Sequence, residues 1–168
     1  MNLPRRLLEL SQALVSLEAR RPRQATLRRA ISTAYYSLFH LLVSDYTALF
    51  STDSTIQAAI GRTVNHRDLF SVARDFSLTP LRLPEALKAK GIVATPELLI
   101  VVQAFISLQD ERHDADYDVL LTYTRSEANA IIRIAQNAFA AWNIAKTTPA
   151  ARIFLSCFQL KKVWDEKR

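Results

Sequence analysis

Arg112 and His113 are adjacent residues whose side chains suit chemistry on a phosphate ester. A guanidinium stays charged and grips a phosphate with two parallel hydrogen bonds. An imidazole, with an ordinary pKa of about 6.5, accepts a proton near neutral pH. Tyr117, with an ordinary pKa of about 10, is a poor base but suits an acid or a hydrogen-bond donor. These side chains could therefore bind a phosphate, accept a proton and donate one.

The carboxylates of the same segment favour a second role for Arg112. Asp114, Asp116 and Asp118 surround the pair and repel a nucleic-acid phosphate. In this alternative Asp116 neutralises Arg112, and the pair pins the end of a helix. The residues leave the catalytic site and the structural clamp open as alternatives.

Basic residues are concentrated near the start of the chain. The first 30 residues hold seven arginines against Glu9 and Glu18. A cluster within this segment could contact RNA phosphates or form a solvated junction between two helices. It consists of Arg20, Arg21, Arg23, Arg28 and Arg29.

Apolar residues at helical spacing predict the elements that position these groups. The predicted long helices cover residues 3–19, 24–50, about 96 to the polar motif, and 125–146, and a terminal helix follows from 150 to 168. Asn65 predicts the start of a shorter helix, and residues 84–90 a helical turn. Thr124 and Glu127 form a capping box, and Arg112 ends the apolar stripe of its helix. The pattern predicts an all-α antiparallel bundle of four long helices plus shorter helices, in a single domain 1–168.

The composition excludes several classes of protein. Cys157 is the one cysteine, no Cys/His cluster has metal spacing, and no phosphate-binding loop occurs, so we expect no metal and no cofactor. No apolar run is long enough to cross a bilayer and no signal peptide is evident, which predicts a cytoplasmic protein without membrane association. The net charge of +6 suits a polyanionic partner.

Three stretches of the sequence resemble the HEPN family of small helical bundles. The stretch 29–40 (RAISTAYYSLFH) is similar to the aromatic-rich central helix of that family, and 65–70 (NHRDLF) to a short helix between the long ones. The segment 112–118 (RHDADYD) is similar to its site motif, and the helix after it completes the match. The resemblance covers about residues 24–146, with a helix 3–19 before it and a helix 150–168 after it.

The resemblance implies a homodimer whose two motif segments face one cleft. It also implies an RNA-binding or metal-independent RNA-cleaving component of a toxin–antitoxin or defence system, with Arg112, His113, Asp116 and Tyr117 as catalytic residues. The family motif ends in a histidine, and Tyr117 stands at that place, so the chain resembles a branch with an Arg-x-x-Ala-Asp-Tyr signature. The alternative is a non-catalytic interaction module or nucleotide-binding partner of a nucleotidyltransferase or antitoxin, with Tyr117 as a modification target and Arg112 as a clamp.

Overall fold

The computed structural model describes residues 2–79, 81–83, 87 and 91–165, with side chains up to residue 160. In these residues the chain is an all-α helical bundle without strands, which confirms the predicted fold class. The helices are α1 (Leu3–Ser16), α2 (Gln24–Ala48), α3 (Ser54–Gly61), α4 (His66–Phe76), α5 (Pro96–Tyr117), α6 (Arg125–Ala145) and α7 (Pro149–Asp165). All of the predicted helical turn at 84–90 except residue 87, and the side chains of the terminal helix after residue 160, lie outside the described residues.

Local capping sets two helix starts where the sequence predicts them. The Asn65 side chain accepts a hydrogen bond from the backbone N–H of Asp68 at 2.9 Å at the start of α4. At α6, the N–H of Glu127 donates to the Thr124 hydroxyl at 3.2 Å, and the Glu127 carboxylate accepts from the N–H of Thr124 at 2.7 Å. These bonds satisfy N–H groups that a helix leaves unpaired in its first turn.

Helix α5 extends further than its apolar stripe. The prediction that the helix ends near Arg112 is wrong, because the polar motif 112–117 is itself helical. Polar residues do not stop a helix when the last carbonyl groups find donors, and Arg28 supplies such donors. The motif side chains are therefore held on a regular helical scaffold.

The residues form two compact units. The first contains Met1–Leu41 and Ala104–Ala140, where the amino-terminal part of α2 runs antiparallel to the last turns of α5. Tyr35 lies at its centre, with its ring centroid 5.4 Å from that of Phe105 and its hydroxyl 3.4 Å from the amide oxygen of Gln109. Burial raises the pKa of Tyr35 far above its ordinary value, although the charge of Arg112 opposes this. The hydroxyl therefore stays protonated throughout the physiological range.

The second unit contains Leu42–Gln103 and Ala141–Arg168. Helix α4 packs on α7, and Phe154 lies 5.3 Å from Phe76 and 6.4 Å from Trp142 between ring centroids. The indole N–H of Trp142 donates to Asp45 at 2.6 Å, so this fully buried side chain is satisfied. Cys157 is buried in this unit. Helix α7 thus belongs to the core of this unit.

The described residues contain no candidate metal-binding group and no membrane-spanning helix. No set of three His, Cys, Asp or Glu side chains in that part of the chain is placed to hold a metal ion. No helix there is long and apolar enough to cross a membrane. The single domain 1–168 stays a prediction.

Candidate functional site

Residues of α2 at intervals of four face the motif at the end of α5. Arg28, Ser32 and Tyr36 form one stripe along α2, because residues four apart lie above one another on a helix. Each of the three donates to or accepts from the segment 112–121. The site therefore consists of the last turns of one helix and a polar stripe of its antiparallel neighbour.

The Arg112 guanidinium is held by three side chains. Its Nε lies 2.8 Å from Oδ2 of Asp116, and its NH2 group donates to the Tyr36 hydroxyl at 3.2 Å. The guanidinium carbon lies 5.4 Å from the ring centroid of Tyr117 and 5.8 Å from that of Tyr36. At these distances each ring adds cation–π attraction. An acid, a hydroxyl and two aromatic rings thus surround the cation.

The contact between Arg112 and Asp116 is an ion pair without a well-aligned hydrogen bond. Although Nε and Oδ2 are close, the N–H at Nε does not point at the carboxylate and has no acceptor in the described part of the chain. Burial alone would lower the pKa of Arg112, but the hydrogen bond to Tyr36 and the neighbouring Asp116 raise this pKa overall. The guanidinium stays charged, and its NH1 group has no protein partner among the described residues.

Each carboxylate oxygen of Asp116 has a partner, and the two contacts fix the orientation of this side chain. Oδ2 faces Arg112, and Oδ1 accepts a hydrogen bond from the hydroxyl of Ser32 at 2.5 Å. Ser32 is fully buried, whereas the Asp116 side chain keeps 28% of its surface exposed. A buried hydroxyl therefore fixes the acid that in turn holds the guanidinium.

His113 and Tyr117 lie together on the exposed side of α5. Their ring centroids are 5.1 Å apart, and Tyr117 is 62% exposed. His113 is exposed as well. The structure therefore brings Tyr117 near both Arg112 and His113, while Asp116 contacts Arg112 on the other side.

Arg28 binds backbone carbonyl groups at the end of α5. Its NH1 donates to the carbonyl of Ala115 at 2.9 Å, and its NH2 donates to that of Asp118 at 2.8 Å and to that of Leu121. A cation at this position satisfies unpaired carbonyls and interacts favourably with the negative end of the helix dipole. The guanidinium thus acts as a cap, and contact of Arg28 with RNA phosphate, one of the two alternatives for its cluster, stays a prediction.

The surroundings of the site are acidic. The segment 110–118 contains five carboxylates against Arg112 and His113. Burial, together with the nearby charges of Asp114 and Asp110, raises the pKa of Glu111. Burial also raises the pKa of Tyr123 to about 12, with the charges of Glu111 and Asp114 adding to the effect. The potential at this end of α5 therefore opposes an incoming phosphate.

The other predicted RNA-binding arginines differ in whether their guanidinium groups already have a partner in the described part of the protein. Arg23 pairs with Glu18 at 2.7 Å, and this hydrogen bond lowers the pKa of Glu18. Arg20, Arg21 and Arg29 are exposed, and within the described part of the chain their guanidinium groups have no partner. Only these three of the five could meet a phosphate without losing a contact.

Ser32 and Tyr36 are the site residues that the sequence analysis does not identify. Both lie in the aromatic-rich stretch 29–40, where their spacing of four and eight residues from Arg28 was the available signal. This spacing shows a shared face of α2 but not the element that the face meets. Their role depends on contacts with residues more than 70 positions away in the chain.

Comparison with protein-family models, with curated proteins and with solved structures finds no match to this chain. The relation to the HEPN family accordingly stays a prediction from the three sequence stretches.

Proposed function

We propose that this protein is a non-catalytic, HEPN-like interaction module in which Arg112 is a structural clamp. The observation that carries the proposal is the set of internal partners of this guanidinium. Asp116, Tyr36 and the Tyr117 ring already surround it. A phosphate would have to compete with a carboxylate 2.8 Å away that is itself fixed by Ser32.

The energetics of the cluster favour this structural role. An ion pair four residues apart on a partly exposed helix contributes only about 0.3–0.5 kcal/mol. The hydrogen bond from buried Ser32 to the charged Asp116 contributes more, roughly 1.5–3 kcal/mol. Because this bond connects α2 to α5, the cluster mainly stabilises the packing of these two helices. Such a role needs no substrate.

Electrostatics argue in the same direction. RNA binding relies largely on Lys and Arg contacts to phosphates. At the motif the carboxylates outnumber the cations, and Arg28 is engaged by carbonyl groups. These features support a surface for protein recognition over one for RNA. Tyr117 is also 62% exposed, so a nucleotidyltransferase partner would have access to this residue for modification.

An RNA cleavage assay with a stability measurement tests the proposal. Purified wild-type protein and the Arg112→Ala variant are incubated with end-labelled RNA in chelator, and both are melted thermally. Arg133→Ala, an exposed arginine on α6, is the matched control. We expect no cleavage by any of the three proteins and a lower melting temperature for Arg112→Ala alone. Cleavage by the wild type that is lost in an Arg112→Ala protein of unchanged stability would refute the clamp.

A second candidate function is metal-independent RNA cleavage, as the HEPN resemblance implies. The observation in its favour is the exposed contact between His113 and Tyr117 beside a guanidinium with a free NH1 group. His113 would act as base and Tyr117 as acid, with Arg112 stabilising the phosphorane. In this case His113→Ala abolishes cleavage without a change in melting temperature, because His113 is exposed. The homodimer, an antitoxin partner and a cytoplasmic location remain predictions.

A further inference from the structure

Five leucines form a line along α1 and its carboxyl-terminal end. They are separated by alternating steps of four and three residues, and we call them the leucine seam: Leu3, Leu7, Leu10, Leu14 and Leu17. Leu3 is 46% exposed, Leu10 48% and Leu17 64%, and the other two are half-buried. An apolar line with three exposed leucines, one near each end of the helix and one in its middle, requires an explanation.

The helix packs on its own unit through a neighbouring face. Its buried residues are Pro4, Ser11 and Val15, which are separated by steps of seven and four and lie beside the leucine seam. Alternating steps of four and three are typical of a helix that pairs with one other helix along a narrow seam. In α1 the fully buried face is therefore distinct from the exposed leucines of the seam, while Leu7 and Leu14 are partly covered by the chain itself.

Free cations flank the leucine seam. Arg6 is three residues from Leu3 and four from Leu10, so it lies next to both on the helix. Arg20 and Arg21 are exposed beyond the end of α1, and no described residue pairs with any of these three guanidinium groups. Glu9 is not three or four residues away from any of the exposed leucines, so it does not lie next to them on the same face of the helix. The seam therefore combines an apolar centre with a cationic border.

We propose that the leucine seam is the docking surface for an acidic amphipathic helix of a different protein. This inference rests on the proposed function and names the partner class of the interaction module. Apolar residues of the partner helix would cover the leucines, and its carboxylates would face Arg6 and the arginines beyond α1. The unit supplies a preformed helix, so only the partner has to become ordered on binding.

Charge and shape distinguish this partner from the other surfaces that could cover leucines. A second copy of this chain, paired antiparallel about a two-fold axis, would bring Arg6 towards the arginines beyond the other copy's α1, which is unfavourable. An anionic membrane would take up a broad apolar face. Here the face beside the seam is buried in the protein through Pro4, Ser11 and Val15. An acidic amphipathic helix has the opposite charge to these arginines, and its single apolar line is narrow enough to cover the leucine seam alone.

Binding of a synthetic peptide to the full chain tests the proposal. The probe is a fluorescent peptide of about four heptads, with Leu at the a and d positions and Glu at e and g. The control peptide carries Lys at e and g instead. The affected variants are Leu10→Gln and Arg6→Glu, and their controls are Ile144→Gln and Arg133→Glu, which are exposed substitutions on α6. If Leu10→Gln melts at a lower temperature than the wild type, Leu17→Gln, at the end of α1, replaces it as the affected variant in the binding assay.

We expect the acidic peptide to bind, the basic peptide not to bind, and Leu10→Gln or Arg6→Glu to weaken binding about tenfold or more. The controls on α6 keep the wild-type affinity, and added salt weakens the complex. Equal binding of both peptides, or no binding of the acidic one, would overturn the proposal. So would a dimer in sedimentation velocity, or cosedimentation with phosphatidylserine vesicles, that Leu10→Gln abolishes. RNA cleavage dependent on Arg112 would contradict the proposed function alone and leave the peptide result to decide on the seam.

Discussion

Replacing Ser32 by alanine is expected to lower the free energy of unfolding by about 1–2 kcal/mol. The fully buried hydroxyl donates to the Asp116 carboxylate at 2.5 Å, and hydrogen bonds to charged groups contribute roughly 1.5–3 kcal/mol. The carboxylate is 28% exposed, so water replaces part of this bond. Alanine also favours the helix over serine by about 0.5 kcal/mol. These two effects reduce the loss to the stated range.

Ser37 provides a matched control on the same helix. It is also fully buried, but its hydroxyl donates to the carbonyl of Ala34 within α2 at 2.6 Å. Such local bonds contribute little to a helix, so Ser37→Ala should change the free energy of unfolding by roughly 0.5 kcal/mol or less. Urea denaturation followed by far-ultraviolet circular dichroism measures both variants. Equal losses for Ser32→Ala and Ser37→Ala would refute the inference that the bond to Asp116 fixes the cluster.

Three further variants test buried or capping groups. Tyr123 has a buried hydroxyl without a hydrogen-bond partner, so Tyr123→Phe should leave stability at pH 7 unchanged or raise it by roughly 1 kcal/mol in urea denaturation. The pKa of Tyr123 is raised to about 12, so the unfolded state loses the phenol proton at a lower pH than the folded state does. The free energy of unfolding of the wild type should therefore fall between pH about 10 and 12, and it should fall less steeply in Tyr123→Phe. Burial lowers the pKa of His40, so the unfolded state takes up a proton before the folded state does as the pH falls below about 6.5. This uptake lowers the stability of the wild type. His40→Gln should reduce that loss in thermal melts at acid pH. Arg28→Ala should cost about 2 kcal/mol and accelerate hydrogen exchange in residues 115–121, and unchanged exchange there would contradict its role as a cap.

The helix starts could be predicted from the sequence because their determinants are local. Asn65 and the pair Thr124 and Glu127 contact backbone groups three residues away, so the residue types at that spacing are sufficient evidence. The end of α5 has a different cause. Arg28 satisfies its carbonyls from 87 residues away at Ala115, and no local pattern contains that information. The sequence therefore places the motif beyond a helix, whereas the structure places it within one.

Periodicity also leaves open which face of a helix is buried. In α1 the leucines form the clearest pattern, but the core takes Pro4, Ser11 and Val15 instead. A hydrophobic line indicates that a face has a partner, and it does not say whether that partner belongs to the same chain. The candidate site shows the same limit. Contact between Arg112 and Asp116 is one of the two sequence alternatives, while Ser32 and Tyr36 require the packing of α2 on α5.

The arginines of the first unit show why net charge is an incomplete guide to a partner. Arg28 and Arg125 donate to backbone carbonyl groups, while Arg23 and Arg112 face carboxylates. A guanidinium used in this way compensates dipoles or acids of its own chain, so it contributes little to the field that a polyanion meets. The net charge of +6 therefore overstates the attraction of this unit for RNA. Three of the cations that remain free, Arg6, Arg20 and Arg21, lie beside the leucine seam, where they favour a partner that is both acidic and apolar.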